Sequence, residues 1–177
     1  MTHEEHVHLI QKAFSKKGGV WADLGSGDGA FTLALADLIG NNGQIYSIDK
    51  DQKRLGNQKQ EFQNMFPQTH ITYAKADFTK PLDLPLLDGI IMANSLHYVK
   101  DQSTFLGKIK QCLKPHGKLV LVEYNTDEGQ APWVPYALSF KKFETLAENT
   151  GWTTIKLLEK IPSSYWNEMY SAEAIKG

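Results

Sequence analysis

The sequence predicts an α/β fold, a three-layer sandwich in which helices cover both faces of a mostly parallel, seven-stranded sheet. Short apolar, β-rich segments alternate with longer segments of helical periodicity, which indicates βαβ units. The last two strand-like segments are separated by little more than Pro-Ser-Ser at 162–164, and so short a break favours an antiparallel pair. Together these observations predict a parallel sheet that ends in a C-terminal antiparallel hairpin.

Each predicted element rests on its own pattern. Residues 4–14 are predicted as a short amphipathic helix that places Val7, Ile10 and Phe14 on one side. The strands are short apolar runs, and the helices are longer, periodic segments that end near glycine or proline. The predicted strands are 19–24, 43–49, 70–77, 86–94, 117–124, 152–161 and 165–176, and the remaining helices are 28–39, 51–65, 101–113 and 140–149.

Length and composition restrict the class of protein. The 177 residues predict one domain, 1–177, with an N-terminal helix within 1–17 and a substrate-side loop at 125–138. The 19 basic and 20 acidic residues give a formal net charge of −1, which provides no long-range attraction for nucleic acid or an anionic membrane. Cys112 is the single cysteine, so disulfide scaffolds and cysteine metal clusters are excluded.

The sequence shows no targeting or membrane segment. No apolar run approaches the ~20 residues of a membrane span. The first residues, "MTHEEHVHLIQKAF", are too polar for a signal peptide. We therefore expect a cytoplasmic protein, and nothing in the pattern predicts its oligomeric state.

A glycine-rich turn joins the first strand to the next helix. In "VWADLGSGDGAFT" (20–32), glycines occupy positions 25, 27 and 29, and Gly25, Gly27 and Ala30 satisfy the G-x-G-x-x-A dinucleotide pattern. Asp28 within the turn and Asp23 at the strand end disfavour a pyrophosphate, which requires positive potential. No Gly-Lys-Ser/Thr follows, so the turn is not a P-loop. The turn predicts a Rossmann-like site for a neutral or cationic ligand.

A further acidic residue indicates that this ligand contains a nucleoside. Asp49 lies at the carboxyl end of the second strand, where a carboxylate can accept hydrogen bonds from both hydroxyls of a ribose. Dinucleotide sites share this feature. Asp49 therefore leaves the choice between a dinucleotide and another nucleoside open.

Four ordered segments resemble the class I S-adenosylmethionine-dependent methyltransferases, in particular their small-molecule branch. "DLGSGDG" (23–29) resembles the first motif of that family, D-x-G-x-G-x-G, and "YSIDKD" (46–51) resembles the end of its second strand. "AKADFTK" (74–80) is similar to the segment after the third strand. "LDGIIMANSLHYV" and "LKPHGKLVLVEYN" are similar to the fourth and fifth strands with their flanking turns. The resemblance spans roughly residues 18–125.

The resemblance implies S-adenosylmethionine as cofactor and assigns the cofactor-binding residues. Asp49 is implied as the ribose ligand, Asp77 as the acceptor from the adenine amino group, and Phe78 as a residue lining the adenine ring. We expect Asn94, which follows the fourth strand, to contact the methionine part of the cofactor through its backbone or side chain. The full implied set is Asp23, Gly25, Ser26, Gly27, Asp49, Lys50, Asp77, Phe78 and Asn94.

One departure from related enzymes is informative. Methyltransferases that act on amino groups of nucleic-acid bases commonly carry Asn/Asp-Pro-Pro-Tyr/Phe after the fourth strand, whereas this chain has "ANSL" at 93–96. We therefore expect a small-molecule acceptor and no nucleic-acid partner. Two alternatives stay open: an S-adenosylmethionine-binding protein that acts with a partner and has no acceptor pocket of its own, and an NAD(P)-dependent oxidoreductase.

His97 is the candidate catalytic residue. Methyl transfer needs a nucleophile aligned with the methyl–sulfur bond, and a base only where that nucleophile must lose a proton. His97 follows the fourth strand, where the cleft opens, and an imidazole there can take a proton or orient a substrate. The alternative is that His97 contacts only the cofactor or packs on the next helix.

The candidate substrate contacts lie on the same rim and in the long loop that follows the fifth strand. We predict Tyr98, Tyr124 and Asn125 on the rim, with Trp133 and Tyr136 in a loop that covers the acceptor. Packing of Trp133 and Tyr136 against helix 140–149 is the alternative. Glu123 is interpreted as a residue that ends the strand.

Three histidines lie near the N-terminus, but their spacing does not favour a metal site. His3 and His6 share a helix face, but His8 lies off it, so no metal is predicted. The helix at 4–14 either folds over the cofactor or covers the sheet, and we favour the first role.

Overall fold

The computed structural model describes the whole chain, Met1–Gly177, around one seven-stranded sheet. The strand order is β3-β2-β1-β4-β5-β7-β6, and all neighbours are parallel except the pairs made by β7. The predicted mostly parallel sheet with a C-terminal antiparallel hairpin is therefore confirmed. The strands are β1 (Gly19–Leu24), β2 (Gly43–Asp49), β3 (His70–Lys75), β4 (Leu87–Ala93), β5 (Leu113–Tyr124), β6 (Trp152–Pro162) and β7 (Glu168–Lys176).

Five α-helices cover the two faces of this sheet. Adjacent residues of a strand point to opposite faces, and two separate cores follow from that alternation. Trp21, Ile45 and Ile91 belong to the core beneath α1–α3, whereas Ala22 and Ile90 belong to the core beneath α4 and α5. The helices are α1 (His3–Ile10), α2 (Ala30–Ile39), α3 (Gln52–Met65), α4 (Gln102–Ile109) and α5 (Phe140–Asn149). None of them is long and apolar enough to cross a membrane.

Side-chain caps explain where most of these helices begin. Thr2 and Glu5 form a reciprocal capping box at α1, and Asp51 accepts from two backbone N–H groups at the start of α3. Asp101 and Ser139 cap α4 and α5 in the same way. Because each cap satisfies N–H groups that have no partner within the helix, the helix starts are fixed locally by the sequence.

The N-terminal helix packs against α2 and the sheet. Leu9 and Ile10 are fully buried among residues of α2 and of the strands. The Ser171 hydroxyl on β7 donates to the Leu9 carbonyl at 2.5 Å, and the Lys118 amine on β5 donates to the Ala13 carbonyl at 2.7 Å. His6 on the same helix packs against Phe31, two residues beyond Gly29 of the turn, so contact of this helix with a cofactor stays a prediction. Burial of its apolar residues anchors α1 to β5 and β7.

The fifth strand starts earlier than its sequence predicts. Lys-Pro-His-Gly at 114–117 is predicted to stop the helix 101–113, yet β5 begins at Leu113, which pairs with Leu87. The pairing then shifts and resumes between Gly89 and Lys118, with His116 in the left-handed region at φ 60°. The Lys-Pro-His-Gly segment is thus a bulge within the strand, because pairing with β4 recovers the backbone hydrogen bonds on either side.

Candidate functional site

The carboxyl ends of the parallel strands bring the predicted cofactor residues to one edge of the sheet. The strand order reverses between β1 and β4, and ligands of open α/β sheets bind in the crevice at such a point. Asp23 and Asp49 lie at the ends of β1 and β2, and Asn94 directly follows β4. We call this region the cofactor edge.

The turn after β1 has a conformation that requires glycine. Gly25, Gly27 and Gly29 have φ values of 79°, 55° and 90°, which side chains rarely adopt. A Cβ atom on Gly25 would lie 2.6 Å from the Ser95 Cβ and 3.0 Å from the Phe78 Cε1. Glycine at 25 therefore lets the turn approach the segments that follow β3 and β4.

A buried polar network holds this turn in place. The Gln58 amide, on α3, donates to the Ser26 hydroxyl at 2.9 Å and to the Gly27 carbonyl at 2.7 Å. The Ser47 hydroxyl, on β2, lies 2.8 Å from both the Ser26 hydroxyl and the Gln58 carbonyl oxygen. Sequence reasoning missed Ser47 and Gln58. The sequence carries one indirect sign of Gln58, which is the glycine at position 29. In the structure a Cβ at this position would lie 2.3 Å from the Gln58 Cγ.

Asp49 connects the glycine turn to the start of α3. Its Oδ2 accepts from the Gly27 amide at 2.8 Å, and its Oδ1 accepts from the Asp51 amide at 2.8 Å. A carboxylate oxygen has two acceptor sites, so each oxygen retains one for a ligand. The half-buried carboxylate is thereby oriented and still able to receive hydroxyl donors.

Two acceptor atoms at the cofactor edge are buried and have no partner in the chain. The Thr32 hydroxyl donates to Asp23 Oδ2 at 2.6 Å, but Asp23 Oδ1 has no hydrogen bond. Asn94 Oδ1 is likewise buried without a partner, on a residue whose φ is 49°. Burying such atoms costs free energy. A ligand that brings N–H groups or positive charge would therefore be stabilised there.

Burial also changes the acidity of Asp23. The side chain is 1% exposed, and desolvation raises the pKa of Asp23 to about 7, with a smaller contribution from the negative charge of Asp49. The hydrogen bond from Thr32 opposes this rise. Asp23 thus changes charge near neutral pH.

The structure refines the electrostatic argument that was based on Asp28. The Asp28 carboxylate lies 3.8 Å from the Arg54 side chain, and both groups are largely exposed. The Arg54 guanidinium also lies 3.4 Å from the place a Cβ on Gly27 would occupy. The positive charge of Arg54 offsets the negative charge of Asp28, so Asp28 alone does not argue against a pyrophosphate.

The predicted adenine and ribose neighbours lie on the β2 and β3 side of the edge. Asp77 is exposed, and its Oδ1 accepts from the backbone amide and the hydroxyl of Thr79, which lowers the pKa of Asp77. The half-buried Phe78 packs edge-on against Phe105, with ring centroids 5.7 Å apart. Lys50 is exposed beyond the end of β2. Cofactor contact by Asp77, Phe78 and Lys50 stays a prediction.

His97 forms a buried pair with Glu123. His97 lies in a single turn of 3₁₀ helix after β4, and Glu123 lies near the end of β5. The His97 Nδ1 is 2.6 Å from Glu123 Oε2, and the His97 backbone amide donates to Glu123 Oε1 at 3.2 Å. The two residues are 2% and 1% exposed. Glu123 thus does more than end a strand.

Aromatic rings flank this pair. Tyr98 and Tyr124 have ring centroids 4.4 Å and 6.4 Å from that of His97, and Trp166 lies 4.9 Å from Tyr124. Trp166 belongs to the turn between β6 and β7, which the antiparallel pairing brings to the end of β5. We call Tyr98, Tyr124 and Trp166 the aromatic wall. Sequence reasoning identified the two tyrosines and missed Trp166.

The loop at 125–138 is fixed by hydrogen bonds from both sides. The Asn125 amide nitrogen donates to Glu168 at 2.5 Å, and its oxygen accepts from the Phe140 amide at 3.0 Å. The structure thus gives Asn125 a role in holding the loop, where we predicted a substrate contact. The Tyr136 amide donates to the His97 carbonyl at 3.0 Å, whereas Trp133 is 69% exposed. Substrate contact by Trp133 and Tyr136 stays a prediction.

The N-terminal histidines have separate partners. His3 lies 3.2 Å from Asp37, His6 packs edge-on against Phe31, and His8 lies 3.4 Å from Glu159. No group of three or more histidine, cysteine or carboxylate residues in the chain is arranged to hold a metal ion.

Solved structures establish the class of this fold. A methyltransferase from Aquifex aeolicus, described as S-adenosylmethionine-dependent, covers 100% of both chains with a TM-score of 0.73 and 19% identity. The phosphoethanolamine N-methyltransferase 2 of Haemonchus contortus has a TM-score of 0.78 and 16% identity, over 98% of this chain and 52% of the other. The chain thus has a Rossmann-like methyltransferase fold.

Sequence comparison shows the family. A model described as a methyltransferase domain matches residues 15–174, so the chain belongs to this methyltransferase family. The 2-phytyl-1,4-naphtoquinone methyltransferase of Trichormus variabilis is 32% identical over 120 residues, 66% of this chain and 51% of that protein. The ubiquinone/menaquinone biosynthesis C-methyltransferase of Shewanella putrefaciens is 26% identical over 172 residues, 96% of this chain and 64% of that protein. The first of these matches spans about half of the relative's length. The resemblance inferred from the four motifs is confirmed.

Proposed function

We propose that this protein binds S-adenosylmethionine at the cofactor edge and transfers its methyl group to a small organic acceptor by direct in-line displacement. The observation that carries the proposal is Asp49, whose carboxylate is oriented by the Gly27 amide and keeps acceptor sites free. Family membership supports the same reaction class. When bound, the cofactor would supply a methyl group already activated by a sulfonium.

The residues present fit this cofactor. Asp49 would bind the ribose hydroxyls, and the turn at Gly25 and Gly27 would receive the nucleoside closely. The unpartnered Asn94 Oδ1 and Asp23 Oδ1 would accept from, or lie near, the positively charged methionine part. Thr32 holds the Asp23 carboxyl in place through its hydroxyl. Each assignment uses an acceptor whose hydrogen-bonding capacity the chain itself leaves unfilled.

The acceptor would bind beside His97, at the end of the sheet nearest the hairpin. The relatives' names refer to quinones, and the aromatic rings around His97 suit an organic ring. We propose that the protein acts as a single domain in the cytoplasm, without nucleic acid. Its net charge of −1 supports the absence of nucleic acid.

The test is the affinity of the Asp49→Ala variant for S-adenosylmethionine, measured by calorimetry. We expect a loss of about 100-fold, because two hydrogen bonds to a charged group are removed. The matched control is Asp51→Ala, which removes the cap of α3 and costs about 1 kcal/mol of stability. The control should bind the cofactor normally.

Three results would contradict the proposal. Unchanged affinity in folded Asp49→Ala would remove the ribose assignment. Thermal stabilisation of the native chain by NAD but not by S-adenosylmethionine would favour the oxidoreductase alternative. Cofactor binding without methyl transfer to any small molecule would favour the partner-dependent alternative.

A further inference from the structure

Glu123 fixes both the orientation and the tautomer of His97. One carboxylate oxygen accepts from the ring at Nδ1, and the other accepts from the backbone amide of the same histidine. Since a carboxylate only accepts, the Nδ1 position carries the proton and Nε2 carries the free lone pair. The pair thus presents one basic nitrogen in a defined direction.

That nitrogen has no hydrogen-bond partner within the chain. His97 Nε2 makes no hydrogen bond in the chain, yet it is not among the unpartnered side-chain atoms sealed from solvent. Those sealed atoms are Asp23 Oδ1, Thr69 Oγ1, Tyr73 Oη and Asn94 Oδ1. Nε2 therefore keeps a small contact with solvent, although the residue as a whole is 2% exposed.

No basic side chain accompanies Glu123 besides His97. No lysine or arginine forms an ion pair with this carboxylate, and a buried uncompensated charge is costly. A base that takes a proton needs a partner for the charge that it gains. The Glu123 carboxylate, 2.6 Å from the His97 ring, provides that partner.

The aromatic wall shows what kind of molecule approaches this base. Tyr98 and Tyr124 flank the imidazole, and Trp166 extends the same surface from the hairpin turn. Tyr98 is exposed, and Tyr124 and Trp166 are partly buried, so their rings offer apolar contact at the rim. A planar ring would be held by such a surface.

We propose that Glu123 is a positioning residue that holds His97 as a proton acceptor. The substrate is a planar aromatic molecule with an ionisable hydroxyl, and this inference rests on the proposed function. The hydroxyl proton passes to His97 Nε2. The resulting oxygen nucleophile bonds to the methyl carbon as the carbon–sulfur bond breaks, and that electron pair stays on sulfur. The products are the methyl ether, S-adenosylhomocysteine and an imidazolium that returns its proton to solvent.

The first test compares Glu123→Gln with the native chain on catechol and 4-nitrocatechol, with release of S-adenosylhomocysteine as the readout. The pH is chosen so that catechol is un-ionised and nitrocatechol is ionised. We expect kcat on catechol to fall about 100-fold and kcat on nitrocatechol to fall less than about threefold. Equal losses on both phenols, or no turnover of either by the native chain, would overturn the proposal.

A second measurement separates this proposal from the proposed function and from misfolding. 4-Nitrocatechol changes colour on ionisation, so its spectrum can be recorded in the complex with S-adenosylhomocysteine at a pH where the free phenol is un-ionised. The native chain should bind the ionised form, and Glu123→Gln and His97→Gln/Glu123→Gln the un-ionised form. Identical spectra would overturn the proton-accepting role. Normal S-adenosylhomocysteine affinity in these variants would confirm that they are folded and leave the cofactor assignment intact.

The aromatic wall has its own matched control in the neighbouring residue. Trp166→Leu should raise KM for catechol about three- to tenfold with little change in kcat, since one stacking contact is lost. Tyr165, which is 79% exposed and outside the wall, should tolerate leucine without change. Equal KM values in the two variants would remove Trp166 from the acceptor site.

Discussion

Asp23 shows how one buried carboxyl group couples stability to pH. Its pKa, raised to about 7, exceeds the ordinary value of 3.8, so the folded chain binds this proton more tightly than the unfolded chain does. The stability that it contributes is fully present below pH 3.8 and is lost as the pH rises through about 7. Ionisation of Asp23 at neutral pH therefore destabilises the cofactor-free protein.

We predict that Asp23→Asn removes this pH dependence. The free energy of unfolding of the native chain, relative to that of the variant, should fall by about 4 kcal/mol between pH 4 and pH 8. Urea unfolding of the cofactor-free proteins at several pH values measures this difference. Parallel pH profiles for the two proteins would contradict the raised pKa.

A second aspartate provides a control of opposite sign. Hydrogen bonds from the hydroxyl and the backbone amide of Thr104 lower the pKa of Asp101. Its stabilising effect is therefore present at neutral pH and is lost in acid. Because Asp101 is fully exposed, the Asp101→Asn variant should differ from the native chain only slightly, and only at low pH.

Among the elements, the long loop and the hairpin depend on each other through Asn125. Its side-chain oxygen accepts a hydrogen bond from the Phe140 amide at the start of α5. Its side-chain nitrogen donates to Glu168 at the start of β7. The backbone amide of Asn125 also donates to the Glu168 carbonyl at 2.9 Å. One side chain thus joins β5, α5 and β7 close to Tyr124 and the aromatic wall.

We predict that Asn125→Asp destabilises the fold and that Glu168→Gln rescues it. The aspartate keeps the acceptor for the Phe140 amide but places a second carboxylate against Glu168, at a cost of about 1–2 kcal/mol. Urea unfolding of both single variants and the double variant gives the coupling energy. Additive effects in that cycle would contradict the contact.

At the scale of the whole molecule, burial is concentrated in the middle of the sheet. β1, β4 and β5 have neighbours on both sides and buried residues on both faces, whereas β3 is an edge strand with half-buried or exposed side chains. The central strands lose their hydrogen bonds only when the whole fold opens. Local opening therefore begins at the edge of the sheet.

Hydrogen exchange measured by mass spectrometry should reveal this gradient. We predict the slowest exchange at 119–122 and 90–92, and exchange at 70–75 that is faster by a factor of ten or more, about 1.4 kcal/mol. S-Adenosylhomocysteine should slow exchange in the glycine turn. Equal protection of 70–75 and 119–122 would contradict a stability gradient across the sheet.

Local patterns predicted most of the helices and strands and part of the candidate site. β1 and β2 and α5 begin and end at the predicted residues, because glycines, caps and apolar runs mark their limits. The hydrogen bonds that hold Asn125 and α1 were not predicted. Both depend on contacts with β7, which is more than 40 residues from Asn125 and more than 150 residues from Leu9 along the chain.

By itself, the sequence determined the fold class, the position of the glycine turn, the place of Asp49 at the end of β2 and the methyltransferase family. Each of these is encoded in residues close together along the chain. Only the tertiary structure decided which distant side chains meet. It placed Gln58 beneath the turn, Glu123 against His97, and Trp166 beside Tyr124. The physical reason is that hydrogen bonds and ring contacts depend on distances of a few ångströms. Strand order and burial fix these distances, and local periodicity does not.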